Sequence, residues 1–163
     1  MEHRFPEVLE PGPRQQLLDA LRLYAGEYAE TSRHSAQALS LHVTDANALV
    51  EILWAERLGD PLSPARLAQR VGLTSGATNA LVNRLETAGY AARSREHTDR
   101  RQVTLRATDL ARERTQRLLR RPAEVLEAAL DQLGPDTIAT LNAALPVLTS
   151  ALAQVNSELA HPG

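Results

Sequence analysis

Apolar residues recur at helical spacing along most of this chain, and alternate with polar ones only between Ala91 and Arg106. Leu17, Leu21, Tyr24 and Tyr28 fall at i, i+4, i+7 and i+11, one face of a helix that Pro13 opens and that reaches about Leu41. Ala48, Leu49, Ile52, Leu53 and Ala55 line a second helix, with Thr44 as its expected N-cap and Asp45 near the positive end of its dipole. Gly59, Asp60 and Pro61 break it. Ser63 and Pro64 are a good N-cap and first position for a third, short helix whose apolar face is Leu67, Ala68 and Val71, with Gly72 at its end. Thr74 caps a fourth, in which Thr78, Leu81, Val82, Leu85 and Ala88 should face the core and which Gly89 terminates. Two half-buried strands follow from the period-two pattern, one from Ala91 to Arg95 and one from Gln102 to Arg106, with Leu62 placed to add a third.

Thr108 then caps a long helix whose first half is strongly basic, and Pro122 is expected to kink or break it. Val125, Leu126, Ala129, Leu130 and Leu133 resume an apolar stripe before Gly134 and Pro135. In the last helix Ile138, Leu141, Leu145, Leu148, Leu152, Val155 and Leu159 are spaced 3, 4, 3, 4, 3 and 4 apart, a heptad a/d seam. Such a seam serves either packing within one chain or, the preferred reading, pairing with a second copy. Pro146 sits within it and should bend the helix.

Two short helices joined by a Gly-containing turn, followed by a hairpin, outline a winged helix-turn-helix. The side of the fourth helix opposite its core stripe carries Ser75, Gly76, Asn79, Ala80 and Asn83. Short and amide side chains let a helix backbone approach a major groove, and Asn pairs bidentately with an adenine edge. Ser75, Asn79 and Asn83 are therefore candidate base readers. Thr78 mostly packs, with its hydroxyl left for a phosphate. Arg84, Arg93 and Arg95 are candidates for holding the DNA backbone, and Arg100 and Arg101 for a wing-tip contact in the minor groove.

The run DRRQVTLRAT, Asp99 to Thr108, resembles the wing motif of MarR-type transcriptional regulators, D-x-R-x-x-x-L-x-L-T, and LSPARLAQRVGLT and NRLETAGYAAR are similar to the same family's helix-turn-helix. The resemblance is strong over about residues 40–110. It implies that Asp99 orients Arg101 or Arg84, that Arg100 or Arg101 reaches DNA, and that Ser63 or Arg66 touches backbone. The chain departs from the pattern at Ala107, where Leu is usual, and at Asn79 and Ala80, where Thr and Arg are common; the latter bears on which sequence is read. The family also binds small anionic aromatics between scaffold and DNA-binding lobe. Tyr24, Tyr28, Arg33, His34 and Trp54 are the candidates for such a pocket, with Arg33 pairing a carboxylate and Trp54 stacking. The alternative for Tyr24, Tyr28 and Trp54 is simple core filling.

Charge sharpens this picture. The net charge of −2 is partitioned into −4 over residues 1–58, +7 over residues 59–121 and −5 over residues 122–163. A basic segment between acidic ones is the distribution of a DNA reader on an acidic scaffold. All the basic side chains are Arg, a choice that suits phosphate and guanine but also follows from GC-rich coding. The absence of Cys excludes disulfides and thiol-based sensing. The five histidines form no metal-ligand spacing, and no nucleophile, phosphate-loop or zinc-protease motif is present, so neither a metal, a cofactor nor an enzymatic activity is expected. No secretory signal is evident, and no apolar run approaches the ~20 residues needed to span a membrane. A cytoplasmic protein follows.

The expected fold is mainly α with a small β-wing. It divides into a tail over 1–12, a helical dimerisation part over 13–43, the winged helix-turn-helix over 44–108 and long helices completing dimerisation over 109–163. The expected partners are double-stranded DNA, a second copy of the chain and a small-molecule effector, with no membrane. The alternatives are a winged-helix protein-interaction module and a ligand-binding protein without an operator.

Overall fold

A computed structural model describes residues 12–95 and 103–160. Its elements are α1 (Pro13–Ala38), α2 (Val43–Arg57), α3 (Pro64–Val71), α4 (Ser75–Thr87), β1 (Ala91–Ser94), β2 (Thr104–Ala107), α5 (Asp109–Leu130) and α6 (Pro135–Ala160). The chain forms two compact units, residues 1–118 and 119–163, and α5 runs from the first into the second.

In the first unit local chemistry sets the helix ends. The Ser63 hydroxyl accepts from Arg66 N–H at 3.3 Å, and that of Thr74 from Ala77 N–H at 3.3 Å. Gly72 ends α3 at φ +66°, a left-handed conformation in which a Cβ is strained. The Thr108 hydroxyl accepts from Ala111 N–H at 3.1 Å and donates to the Gly89 carbonyl at 2.6 Å, so one side chain caps α5 and ties it to the end of α4. Two boundaries differ from expectation. The N-cap of α2 is His42, not Thr44: the His42 carbonyl accepts from Ala46 N–H at 2.9 Å, closing the first turn two residues earlier. Ala88 is the exposed C-cap of α4 rather than a core residue, because the helix has already ended at Thr87.

The core is aliphatic. Leu49 and Ile52 of α2, Leu67 of α3, Leu81, Val82 and Leu85 of α4, Leu105 of β2 and Leu62 are wholly buried together. α2 lies at its centre, against α1, α3, α4 and β2. β1 and β2 pair antiparallel with Ala91 opposite Ala107 and Ser94 opposite Thr104. Leu62 adds one hydrogen bond to this ribbon, its carbonyl accepting from Leu105 N–H at 2.8 Å, but among the described residues the sheet has two strands rather than three. Two polar groups brace the core. The hydroxyl of buried Tyr90 donates to the Leu39 carbonyl and accepts from Arg114, each at 3.0 Å. Glu56 accepts from Ala107 N–H at 3.2 Å and from Arg112 at 3.0 Å, joining the end of α2 to β2 and α5.

The second unit consists of the end of α5 and of α6. Both carry a proline in mid-helix, Pro122 and Pro146, and both helices continue through it. A proline removes one backbone hydrogen bond, and the turns on either side hold the helix together. On α6, Leu141, Leu145, Leu152 and Val155 are exposed, and Ile138 and Leu148 are half-buried. By length and composition Pro135–Leu159 is apolar enough to cross a membrane, with a mean hydropathy of 1.5. Thr, Asn, Ser and Gln are scattered among the apolar residues of this helix, so its apolar character lies in its average and not in an unbroken run.

Candidate nucleic-acid interface

α4 buries one stripe and offers the other. Leu81, Val82 and Leu85 lock it onto the core, which leaves Ser75, Gly76, Asn79, Ala80 and Asn83 exposed. Ser75 stands at the first position of the helix, and Asn79 and Asn83 one and two turns further on. Thr78 does not join them. It is buried, and its hydroxyl donates to the Thr74 carbonyl at 3.0 Å, so none of it remains for a phosphate.

The arginines around this face are less free than their positions in the chain suggest. Arg84 is held by Asp45, with Nε donating to Oδ2 at 2.9 Å and Nη2 to Oδ1 at 2.6 Å. That hydrogen bond raises the guanidinium above its ordinary pKa. Arg93 is ion-paired with Glu86 and donates from Nη2 to Asn83 Oδ1 at 3.0 Å, so two candidate DNA contacts already engage one another. The Glu86 carboxylate also accepts from Arg93 N–H at 3.1 Å, which fixes β1 against the end of α4. Arg66 pairs with Asp60 at 2.7 Å on the surface, and the hydrogen bond holds the Asp60 carboxyl below the usual range. Arg95, the last residue before the wing tip, is exposed. Asp99, Arg100 and Arg101 lie outside the described residues.

Asp45 was legible only as a favourable charge on a helix dipole. Its partner is 39 residues away, beyond any periodicity. Asp99, rather than Asp45, was the expected orienting residue for Arg84.

The five candidate pocket residues fall into three groups. Tyr24 stacks on Tyr28 with centroids 6.5 Å apart, and both are exposed rather than core fillers. Arg33 and His34 both pair with Glu30. Trp54, also exposed, lies 5.7 Å from the Arg57 guanidinium. An open cleft of about 420 Å³ is lined instead by Leu53, Glu56, Arg57, Arg106 and Arg112. Among the described residues no group of His, Cys, Asp and Glu could hold a metal ion.

Residues 41–102 match the model of the MarR family. Over 71 residues the chain is 41% identical to the uncharacterized HTH-type transcriptional regulator YcgE of Bacillus subtilis, a match covering 44% of each chain. The chain thus spans less than half the length of this curated relative. Among solved structures it is similar to RV1404 from Mycobacterium tuberculosis, at 25% identity and a TM-score of 0.60 over 90% of this chain and 98% of that one. It also shares its fold with S. aureus MepR, solved as a DNA complex, at 15% identity and a TM-score of 0.62 over 82% of this chain and 94% of that one. The family match over the helix-turn-helix and the winged fold built around it agree: residues 41–102 are similar to the MarR family.

Proposed function

We propose that this protein is a sequence-specific DNA-binding transcriptional regulator, a repressor, that acts as a cytoplasmic homodimer on a pseudo-palindromic operator. The observation that carries this reading is the exposed face of α4, where Ser75, Asn79 and Asn83 stand beside an arginine-bearing hairpin in the most basic third of the chain. MepR, which shares the fold, has been solved bound to DNA. One winged unit reads half a site, and the apolar seam of α6 supplies a surface on which two copies pair, setting their recognition helices about one helical turn, ~34 Å, apart. Asn79 and Ser75 read base edges. Arg95 and the wing-tip pair Arg100 and Arg101 supply backbone and minor-groove contacts. A small anionic effector that alters the spacing of the two recognition helices would release the operator.

The test is fluorescence anisotropy with duplexes selected by the protein from a random library, titrated at several salt concentrations beside scrambled duplex. Tight binding that beats the scrambled duplex, with a steep salt dependence, is the expected result. Equal affinity for both duplexes would favour a winged-helix protein-interaction module. A panel of aromatic acids added to the complex tests the effector; unchanged operator affinity and melting temperature would remove it from the scheme.

A further inference from the structure

Asp45 is the one charged side chain that the fold buries among the described residues. Its carboxylate is 2% exposed, and Arg84, its partner, is 49% exposed. A buried carboxylate demands a partner that satisfies both oxygens, and this one has it: Nε and Nη2 of one guanidinium meet Oδ2 and Oδ1. The guanidinium is planar and rigid, so fixing two of its nitrogens fixes the third. Nη1 makes no hydrogen bond among the described residues, on a side chain that is half in solvent. Arg84 follows Asn83 directly on α4 and lies one turn beyond Ala80, at the margin of the exposed face.

Two other arginine pairs around this face are of a different kind. In Arg93–Glu86 and Arg66–Asp60 both partners reach solvent, and a phosphate can replace either carboxylate. No phosphate can reach Asp45. A DNA backbone arriving at α4 therefore finds Arg84 already held and meets it through Nη1.

Building on the DNA-binding reading above, we propose that Asp45 is a positioning residue for DNA recognition: from the first turn of α2 it holds the Arg84 guanidinium in one plane so that Nη1 donates to a single phosphate beside the recognition helix. The contact supplies direction rather than bulk charge, because the carboxylate behind the guanidinium offsets much of its attraction. It fixes the rotation of α4 in the groove, on which base reading by Asn79 depends.

The test uses the full-length protein and a duplex that the wild type selects from a random library. Affinities of the wild type, R84A, R84K, D45N and D45N/R84A are measured by anisotropy, and folding of each variant by urea denaturation. Arg84→Ala should weaken the selected duplex about tenfold. Arg84→Lys keeps the charge but cannot form the two-point bond, and should lose nearly as much. Asp45→Asn should weaken binding about fivefold in protein that is still folded, and D45N/R84A should be no weaker than R84A alone, the signature of two residues acting as a unit. Wild-type affinity for R84K, or for folded D45N, would overturn the proposal, as would losses that multiply in the double variant. Should Asp45→Asn fail to fold, R84K against R84A decides, since both keep the buried carboxylate. A wild type that selects no duplex would overturn the DNA reading itself, a failure distinct from a wild type that selects one and variants that bind it equally well.

Discussion

Glu86 stands between Arg93 and any approaching phosphate. It accepts from the Arg93 backbone and pairs with its guanidinium, while Asn83 takes a second N–H. Replacing Glu86 with Gln keeps the backbone hydrogen bond and removes the charge, which releases Arg93 toward DNA. Non-specific duplex affinity should then rise, and the slope of log K against log salt should steepen by about one, as expected for one more neutralised phosphate. An unchanged slope in a salt titration would mean that Arg93 never meets the backbone. Asp60 offers a second measurement. Its hydrogen bond from Arg66 lowers its pKa, so its contribution to stability is full above the unfolded-state value, about pH 4, and is lost as pH falls through the lower folded value. Both side chains are well exposed, so the contribution is small. The stability difference between wild type and Asp60→Asn, followed by urea denaturation, should stay constant above about pH 5 and shrink in stronger acid.

Among the elements, those whose ends are written in adjacent residues were the legible ones. Ser63, Thr74 and Thr108 each cap the helix they were expected to cap, because a cap needs only a hydroxyl three residues ahead of an N–H. Thr74→Ala should therefore cost about 1 kcal/mol in urea denaturation, the usual loss for a vacant cap. Gly72 and Gly89 likewise stop their helices at positive φ, as their places in the chain suggested. Thr44 failed as a cap because the first turn of α2 closes on the His42 carbonyl, a choice made by the backbone and silent in side-chain chemistry. Pro122 does not break α5, because a long helix absorbs one missing hydrogen bond, and α6 likewise continues through Pro146. Arrangements between elements were the least legible. Nothing local couples Asp45 to Arg84, Leu39 to Tyr90 or Glu56 to Arg112, and these contacts depend on which helix packs beside which. The exposed stripe of α4 was readable, since it is the complement of the core stripe; the engagement of Asn83 and Arg93 with one another was not.

At the scale of the molecule, charge and apolarity are segregated along the chain. Residues 59–121 are basic, and residues 122–163 are acidic and carry the apolar α6 with Leu141, Leu145, Leu152 and Val155 exposed. A seam of that length left in water is costly, and a second copy is the occupant its heptad spacing suits. The full chain should sediment at about twice its 17.8 kDa. Leu145→Asp with Leu152→Asp should leave a monomer that stays folded in its helix-turn-helix and loses its preference for selected over scrambled duplex. A dimer that survives both substitutions would place the pairing surface elsewhere.

The chain holds a single tryptophan, and the fold leaves it half in solvent on α2, beside the guanidinium of Arg57. Its three tyrosines absorb at shorter wavelengths, so light at the red edge of the absorption band excites one indole and no other side chain. The molecule thus carries a built-in optical probe at one address. Anything that covers or reshapes the outer side of α2 changes the colour and intensity of that emission. Events confined to the tip of α4 leave that emission unchanged, and the same cuvette separates the two without a label.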